Sequence, residues 1–185
     1  MTHIEVVSAP LDDATLVTRA RDGDVRAYEV LVLRYQGRMY RFAQRMLASR
    51  PDAEDVVQEV FLTAWRRLDQ LQDGAAFVSW LYKATTNRCL NVIRARKPRT
   101  EVEPDEHEAP GPLPERSAEV GEQMAALGRA LLQLTDEQRA CWLLREVHGR
   151  SYDEIAQHIG SGVTAVRGRI ARARVQLAEV MAPWR

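Results

Sequence analysis

The stretch from Gly74 to Thr100 combines aromatic, amide and cationic side chains and contains no acidic residue. Two aromatic residues, Trp80 and Tyr82, stand just before four polar residues spaced at offsets of 0, 4, 8 and 11. These four residues are Lys83, Asn87, Asn91 and Arg94. At about 100° per residue they share one face of a helix. Aromatic rings stack on exposed bases and amides bond to base edges, so this combination is typical of a surface for unpaired nucleic acid.

The same side chains also have ordinary structural interpretations. Trp80 follows the apolar spacing of Phe77 and Leu81 and would then lie in the core. Tyr82 is equally open to burial, and Asn87 is equally open to being a plain surface amide. The residue types alone do not decide between these alternatives.

A second cationic stretch, YDEIAQHIGSGVTAVRGRIARAR, runs from Tyr152 to Arg174. Four arginines fall in its last eight residues, and no acid follows Glu154. A short helix, a turn over residues 160–162 and a longer helix predict a helix-turn-helix. The residues expected outward on the second helix are Thr164, Arg167, Gly168, Ala171, Arg172 and Arg174. A major groove admits such a helix, and arginine pairs with guanine edges or contacts phosphates. A solvated basic face in an ordinary bundle is the alternative.

The elements that would position these residues are all predicted to be helical. Apolar residues recur every three to four positions, as in the stripe from Val25 through Tyr28 and Val32 to Met46, and alternating strand patterns are absent. Thr135 with Gln138, and Ser151 with Glu154, form capping-box patterns at two helix starts. We therefore predict an all-α fold with an N-terminal four-helix domain and a C-terminal helix-turn-helix domain.

Charge divides the chain into segments, although the 26 basic and 26 acidic residues cancel overall. Residues 11–99 carry 16 basic against 11 acidic residues, and residues 121–185 carry 9 against 7. Residues 100–120 carry 1 basic and 7 acidic residues together with four prolines, so we expect an extended, flexible linker. The predicted domains are residues 11–99 and 121–182. The two basic blocks indicate nucleic-acid contact more strongly than the overall charge does.

Several classes of protein are disfavoured by the sequence. No apolar run approaches the length of a membrane span, and the N-terminus lacks the pattern of a secretory signal. Cys89 and Cys141 are isolated, which fits a reducing cytoplasm without disulfides. The four histidines form no ligand motif, and no P-loop or GxSxG is present. We expect no metal, no cofactor and no enzymatic activity.

Four blocks, taken in order, resemble the sigma factors of the extracytoplasmic-function (ECF) group. They read ARDGDVRAYEVLVLRYQGRMYRFAQRML, DAEDVVQEVFLTAWRRLDQL, FVSWLYKATTNRCLNVIRARK and LTDEQRACWLLREVHGRSYDEIAQHIGSGVTAVRGRIARAR. Together they cover nearly all of the chain except the linker and the termini. Some positions depart from the family pattern: GVTAV replaces a turn like PVGTV, Gly168 replaces a common serine, and Asn91 replaces a frequent acid. The promoter sequence therefore cannot be carried over from relatives.

The resemblance implies a set of partners and roles. The N-terminal domain would bind the β′ clamp helices of core RNA polymerase through Asp55, Gln58 and Glu59, whose alternative role is to complement a helix dipole. Asn87, with Lys83 and the loop over residues 69–76, would hold a base flipped from the non-template strand of the −10 element. The C-terminal helix-turn-helix would read duplex DNA at the −35 element and contact the β flap. An anti-sigma factor would be a further partner.

Two other classes of function remain as alternatives. A stand-alone helix-turn-helix regulator would need a sensor or oligomerisation surface in residues 11–99 and would bind its operator without polymerase. A helical adaptor that used only protein surfaces would leave both acid-free cationic stretches unexplained.

Overall fold

The computed structural model describes residues 11–71, 73–96 and 118–182, with side chains described from residue 122 onward in the last segment. Regular structure in this part of the chain is helical, and no strand occurs in it. The N-terminal module consists of α1 (Asp13–Arg21), α2 (Val25–Leu47), α3 (Arg50–Arg66) and α4 (Gly74–Arg96). The C-terminal module consists of α5 (Ala118–Gln133), α6 (Asp136–Trp142), α7 (Tyr152–Ile159) and α8 (Val163–Val180). The predicted all-α class is confirmed.

Local side-chain caps explain where the first three helices begin. Asp12, Asp24 and Ser49 each accept a hydrogen bond from a backbone N–H in the first turn of α1, α2 and α3 respectively. Such caps satisfy donors that a helix leaves unpaired at its start. The starts of these three helices are therefore set by residues that lie within one turn of them.

One glycine is required by the packing of α1 against α4. A Cβ atom placed on Gly74 would lie 2.6 Å from the Cβ of Asp13 and 2.7 Å from the backbone nitrogen of Ala14. Only a residue without a side chain permits this approach. The contact closes the N-terminal bundle at the start of α4.

The C-terminal module confirms both predicted capping boxes. The hydroxyls of Thr135 and Ser151 each accept a hydrogen bond from a backbone N–H, and Gln138 and Glu154 bond back to the two cap residues. After α6 the chain continues through a wider π-helical turn, Leu143–Val147, before α7. Gly160 ends α7 with φ of +64°, a left-handed conformation that suits glycine. The predicted helix-turn-helix is formed by α7, this turn and α8.

The apolar stripe predicted along α2 divides between two environments. Its C-terminal part is fully buried, as Met39 and Met46 show. Tyr28 and Val32 instead line an open groove beside α3, and Val25 is 63% exposed. The stripe is therefore buried at its C-terminal end and open to the groove at its N-terminal end.

The two modules pack against each other and share one continuous hydrophobic core. The main contact is between α4 and α7, and α2 also meets α5 and α6. Arg139 on α6 is 6% exposed and donates a 2.6 Å hydrogen bond to the carbonyl oxygen of Met46 at the end of α2. It also donates to carbonyl oxygens at the end of α5. One guanidinium thus joins the C-terminal ends of two helices.

Several sequence-based predictions fall outside the described residues. The predicted linker lies there up to residue 117, as do Lys97 and Arg99 of the cationic stretch, whereas the linker's last three residues, 118–120, are helical and belong to α5. The domain boundaries accordingly stay predictions. In the ranges that are described, no helix is both long and apolar enough to cross a membrane. The same ranges contain no group of three His, Cys, Asp or Glu side chains arranged to hold a metal ion.

Candidate nucleic-acid and protein interfaces

The polar face predicted on α4 is open to solvent. Lys83, Asn87, Asn91 and Arg94 are all exposed. Arg94 donates a 3.3 Å hydrogen bond to the side-chain oxygen of Asn91, which joins the last two members of the face. Asn87 has room to present both its donor and its acceptor outward. The four residues form the surface that we call the amide face of α4.

The two aromatic residues before this face have different surroundings. Trp80 is half-buried, packs partly against the core, and lies on the same side of α4 as the amide face at about 100° per residue. Tyr82 is 2% exposed and points to the opposite module. Its hydroxyl lies 3.1 Å from Nδ1 of His148, and the guanidinium of Arg150 lies 4.7 Å from its ring centroid. Burial raises the pKa of Tyr82. In this arrangement Tyr82 holds the modules together, and direct contact with DNA would require their separation.

The outward face of α8 carries most of the residues predicted for duplex recognition. Thr164, Arg167, Ala171, Arg172 and Arg174 are exposed, and Gly168 is half-buried. The buried residues Val166, Ile170 and Ala173 lie on the opposite side, against α6 and α7. The absence of a side chain at Gly168 leaves space next to the Arg172 guanidinium, whose Nη1 lies 3.4 Å from where a Cβ would stand. This face is exposed and carries three arginines and a threonine.

The arginines of α8 differ in how far they are already engaged. Arg174 donates to Oε1 of Glu146 at 2.6 Å, and this carboxylate raises the pKa of Arg174. The Arg167 guanidinium lies 5.2 Å from the ring centroid of Tyr152. Arg169, which was not predicted to face outward, turns inward to Glu137 and Ser161. Arg172 therefore stands out among the arginines of α8 because it has neither an acidic nor an aromatic partner in the described residues.

The third predicted set lies on the exposed side of α3. Asp55, Gln58 and Glu59 are all exposed and, at spacings of three and four residues, share one face. Glu59 pairs with Arg88 of α4 at 2.7 Å, which connects this side of α3 to α4. Gln58 lines the groove between α2 and α3. The structure brings an acidic face and an apolar groove next to each other.

This groove was not predicted from the sequence. It has a volume of about 770 Å³ and is lined mainly by apolar and aromatic side chains of α2 and α3. Tyr28 and Trp65 form a tilted aromatic pair in it, with ring centroids 4.9 Å apart, and the Tyr28 hydroxyl donates to the carbonyl oxygen of Phe61 at 2.5 Å. Leu62 lies beside them and is 51% exposed. The signal in the sequence was an apolar stripe on α3 too wide for one buried face.

Each of the two modules matches a known protein family. Residues 31–99 match the model of Sigma-70 region 2, and residues 124–177 match that of Sigma-70 region 4. The ECF RNA polymerase sigma-E factor of Escherichia coli K12 is 36% identical over 179 residues, which span 91% of this chain and 93% of that protein. The RNA polymerase sigma-H factor of Pseudomonas aeruginosa is 34% identical over 182 residues, with 92% and 94% covered.

Solved structures agree with these matches. CnrH, solved in complex with the cytosolic domain of CnrY, superposes with a TM-score of 0.69 at 28% identity and covers 92% of this chain and 97% of its own. The sigma factor RpoE of Bartonella quintana, solved with the anti-sigma factor NepR, superposes with the same TM-score of 0.69. At 24% identity, with 84% of this chain and 96% of that one covered, it supports the fold.

Two helical modules, one of region 2 type and one of region 4 type, define a sigma factor of the Sigma-70 class. The chain belongs to the ECF group of RNA polymerase sigma factors. It is an alternative sigma factor that directs promoter-specific transcription initiation, and its activity is that of a DNA-binding initiation factor. The predicted resemblance is therefore confirmed, whereas the roles of single residues stay predictions.

Proposed function

We propose that this sigma factor divides promoter recognition between the amide face of α4 and the outward face of α8, and binds core polymerase through α3 and the adjoining groove. The observation that carries this proposal is the presence of two solvent-exposed polar faces on separate modules of one ECF sigma factor. The alternative of a stand-alone regulator finds no support in this family membership.

The amide face would act on the melted −10 element. A base that leaves the duplex loses its stacking and pairing, at a cost of a few kcal/mol, so a pocket that holds it must supply a similar gain. Asn87 offers a donor and an acceptor to a base edge, Trp80 offers ring surface, and Lys83 and Arg94 offer charge to phosphates. The region from residue 69 to 76, which runs into the first turn of α4, would form the rim.

The outward face of α8 would enter the major groove of the −35 element. Arg172 is the residue best placed to read a base there, because it has no acidic partner among the described residues and its guanidinium lies over the small Gly168. Arg174 would first have to leave Glu146. Arg167 and Thr164 would contact phosphates or bases near the start of the helix.

Replacing Arg172 with alanine is expected to weaken binding of the −35 element by about 5- to 150-fold if the guanidinium pairs with a base, which corresponds to about 1–3 kcal/mol. If it contacts only a phosphate, the effect should be similar on all sequences and the salt slope should fall by about one. Fluorescence anisotropy with matched and scrambled −35 duplexes at several salt concentrations separates these cases. The exposed Arg21 of α1 provides the control, R21A. If R172A bound the −35 duplex as tightly as R21A does, Arg172 would not be part of the interface.

The groove between α2 and α3 would receive an apolar helix edge of core polymerase, which we assign to the β′ clamp. Asp55 and Glu59 beside it would attract cationic residues of that partner and orient it. Region 4 would reach the β flap separately. We further propose that the site of action is the cytoplasm, where core polymerase and promoters are found.

Replacing Leu62 with glutamate is expected to weaken binding to core polymerase at least about 10-fold, because a carboxylate would be desolvated in an apolar interface. The matched control is L33E, since Leu33 of α2 is 64% exposed and lies outside the groove. Both variants should change the free energy of unfolding by only about 0.5 kcal/mol, because both leucines are exposed. Equal affinity of L62E and L33E for core polymerase would show that the groove is not part of the contact.

An anti-sigma factor is the third partner that we propose. CnrH, a relative in fold that covers nearly the whole chain, was solved with the cytosolic domain of CnrY bound to it. A comparable partner would act on this chain by competing for α3 and its groove or by holding the two modules together.

A run-off transcription assay with purified core polymerase tests the proposed function as a whole. The chain should direct transcripts from promoters that carry cognate −10 and −35 elements, and transcripts should disappear when either element is scrambled. Operator binding that is indifferent to core polymerase would instead indicate a stand-alone regulator.

A further inference from the structure

Two histidines lie in the contact between the modules, and each has a buried ring nitrogen without a hydrogen-bond partner. These atoms are Nε2 of His148 and Nδ1 of His158. The other nitrogens of the two rings meet the N-terminal module: Nδ1 of His148 lies 3.1 Å from the Tyr82 hydroxyl, and Nε2 of His158 lies 3.2 Å from the Ser79 hydroxyl. Each histidine therefore forms a hydrogen bond across the contact with one ring nitrogen, while its other ring nitrogen is buried without a hydrogen-bond partner.

Both rings are also packed against aromatic side chains of the N-terminal module. His148 meets the edges of Phe42 and Tyr82, with ring centroids 5.5 Å and 5.3 Å away. His158 is 1% exposed and stacks parallel to Tyr82. A neutral imidazole fits this environment, whereas an imidazolium would need a second acceptor that the contact does not provide.

The charges facing the rings make protonation of His148 still less favourable. Five cationic groups surround the rings, namely Arg38, Arg41 and Arg45 of α2, Lys83 of α4, and Arg150 next to α7. Glu154 faces His158, and its charge favours protonation of that ring more than Arg150 or Lys83 individually disfavours it. Burial, followed by the four arginines, lowers the pKa of His148 to about 4, and burial lowers the pKa of His158 to about 4.

In the packed arrangement, the two DNA faces lie closer together than the −10 and −35 elements of a promoter do. The centres of a −10 and a −35 element are about 25 base pairs apart, or about 85 Å of straight B-form DNA at 3.4 Å per base pair. Ser79 and His158 are in contact, and Asn87 and Arg172 lie a few helical turns from them. At 1.5 Å per helical residue and at most about 3.8 Å per loop residue, the two DNA faces lie within roughly 60 Å. On the proposed function, the modules must therefore separate before both elements are bound.

We propose that His148 and His158 form a proton-sensitive latch, in which the neutral rings hold the C-terminal module against α4 and protonation of either ring releases it. The species that binds at this site is therefore a proton. Any effect of this separation on transcription rests on the proposed function, whereas the latch itself is a property of the chain without its partners.

The direction of the pH dependence follows from the lowered pKa values. In the separated state both rings regain an ordinary pKa near 6.5, so the closed state has its full stability above pH 6.5 and loses it as the pH falls from 6.5 towards 4. Between pH 7.5 and 5.5 the opening equilibrium should shift by about 10-fold for each histidine and by about 100-fold for both.

The test uses energy transfer between dyes on the intact chain. Cysteines introduced at the exposed positions Glu29 of α2 and Gln176 of α8 carry the dyes. Cys89 and Cys141 are buried and should react slowly, since burial raises their pKa to about 12 and about 11. The fraction of molecules with high transfer should fall as the pH is lowered from 7.5 to 5.5.

The variant H148N/H158Q removes both titrating rings but keeps an amide atom near each bonded nitrogen. It should abolish the pH response, while the control H3N/H107N, which changes the other two histidines of the chain, should retain it. No change in transfer in the wild type, or the same response in H148N/H158Q, would overturn the latch. Because the substitutions also change the packing of the contact, NMR titration of the wild-type histidines gives a second readout: two pKa values near 6.5 in the closed chain would equally overturn the latch. No polymerase or promoter enters these measurements, so failure of the latch is distinguishable from failure of the proposed function.

Discussion

Replacing Asn87 with alanine is expected to reduce open-complex formation by about 10-fold or more, while affinity for core polymerase stays within about twofold. A paired amide and base edge contributes about 1–3 kcal/mol, and this contribution arises only after the base has left the duplex. The loss should therefore appear in promoter melting and not in assembly of the holoenzyme. Fluorescence of 2-aminopurine placed in the −10 element measures melting, and competition binding measures assembly.

A surface amide outside both DNA faces provides the control for this prediction. Gln133 is exposed at the end of α5, and Q133A should melt promoters like the wild type. If N87A and Q133A gave the same yield of open complex, the base-binding role of Asn87 would be rejected. A defect of N87A in core binding would instead indicate that this part of α4 faces the polymerase.

Replacing Arg139 with alanine is expected to lower the free energy of unfolding by about 3 kcal/mol or more. The side chain is buried and donates hydrogen bonds to carbonyl oxygens of Leu131, Leu132, Leu134 and Met46, and the last of these belongs to the other module. Burial lowers the pKa of Arg139, with Asp136 acting in the opposite direction. Removing the guanidinium leaves a cavity and several buried acceptors without donors, which is among the costliest kinds of substitution.

Urea denaturation of the full chain measures this effect. The matched variant R129A removes an exposed arginine of α5 and should change stability by about 0.5 kcal/mol at most. R139K keeps the charge but lacks the planar fork that reaches several carbonyls, so it should recover only part of the loss. Equal stability of R139A and R129A would show that the packing of the two modules does not depend on this residue.

Arg139 also shows what a sequence pattern cannot reveal. In the segment DEQRACW it reads as one more charged residue on a helix that begins with a capping box. Its importance comes from four carbonyl groups that meet at one point, one of them 93 residues away along the chain. The spacing of neighbouring residues gives no sign that these carbonyl groups come together.

Tyr82 and Trp80 show how much helical periodicity can predict and what it leaves out. Both were predicted next to the polar face of α4, with burial as the open alternative. At about 100° per residue, Tyr82 lies some 200° from Trp80, so they could never have shared a face. The periodicity was sufficient to separate them, but it could not say that a second module would cover the side on which Tyr82 lies.

What the sequence determined by itself is local. Helix starts and ends, both capping boxes, the helix-turn-helix and the membership of the ECF sigma factors follow from residues within one or two turns of each other and from their order. The tertiary structure alone decided the open groove beside α3, the buried side of α4 and the histidine contact between the modules. The physical reason is that caps and helical periodicity depend on neighbours three or four residues away, whereas docking depends on the fit of surfaces whose residues are distant in the chain.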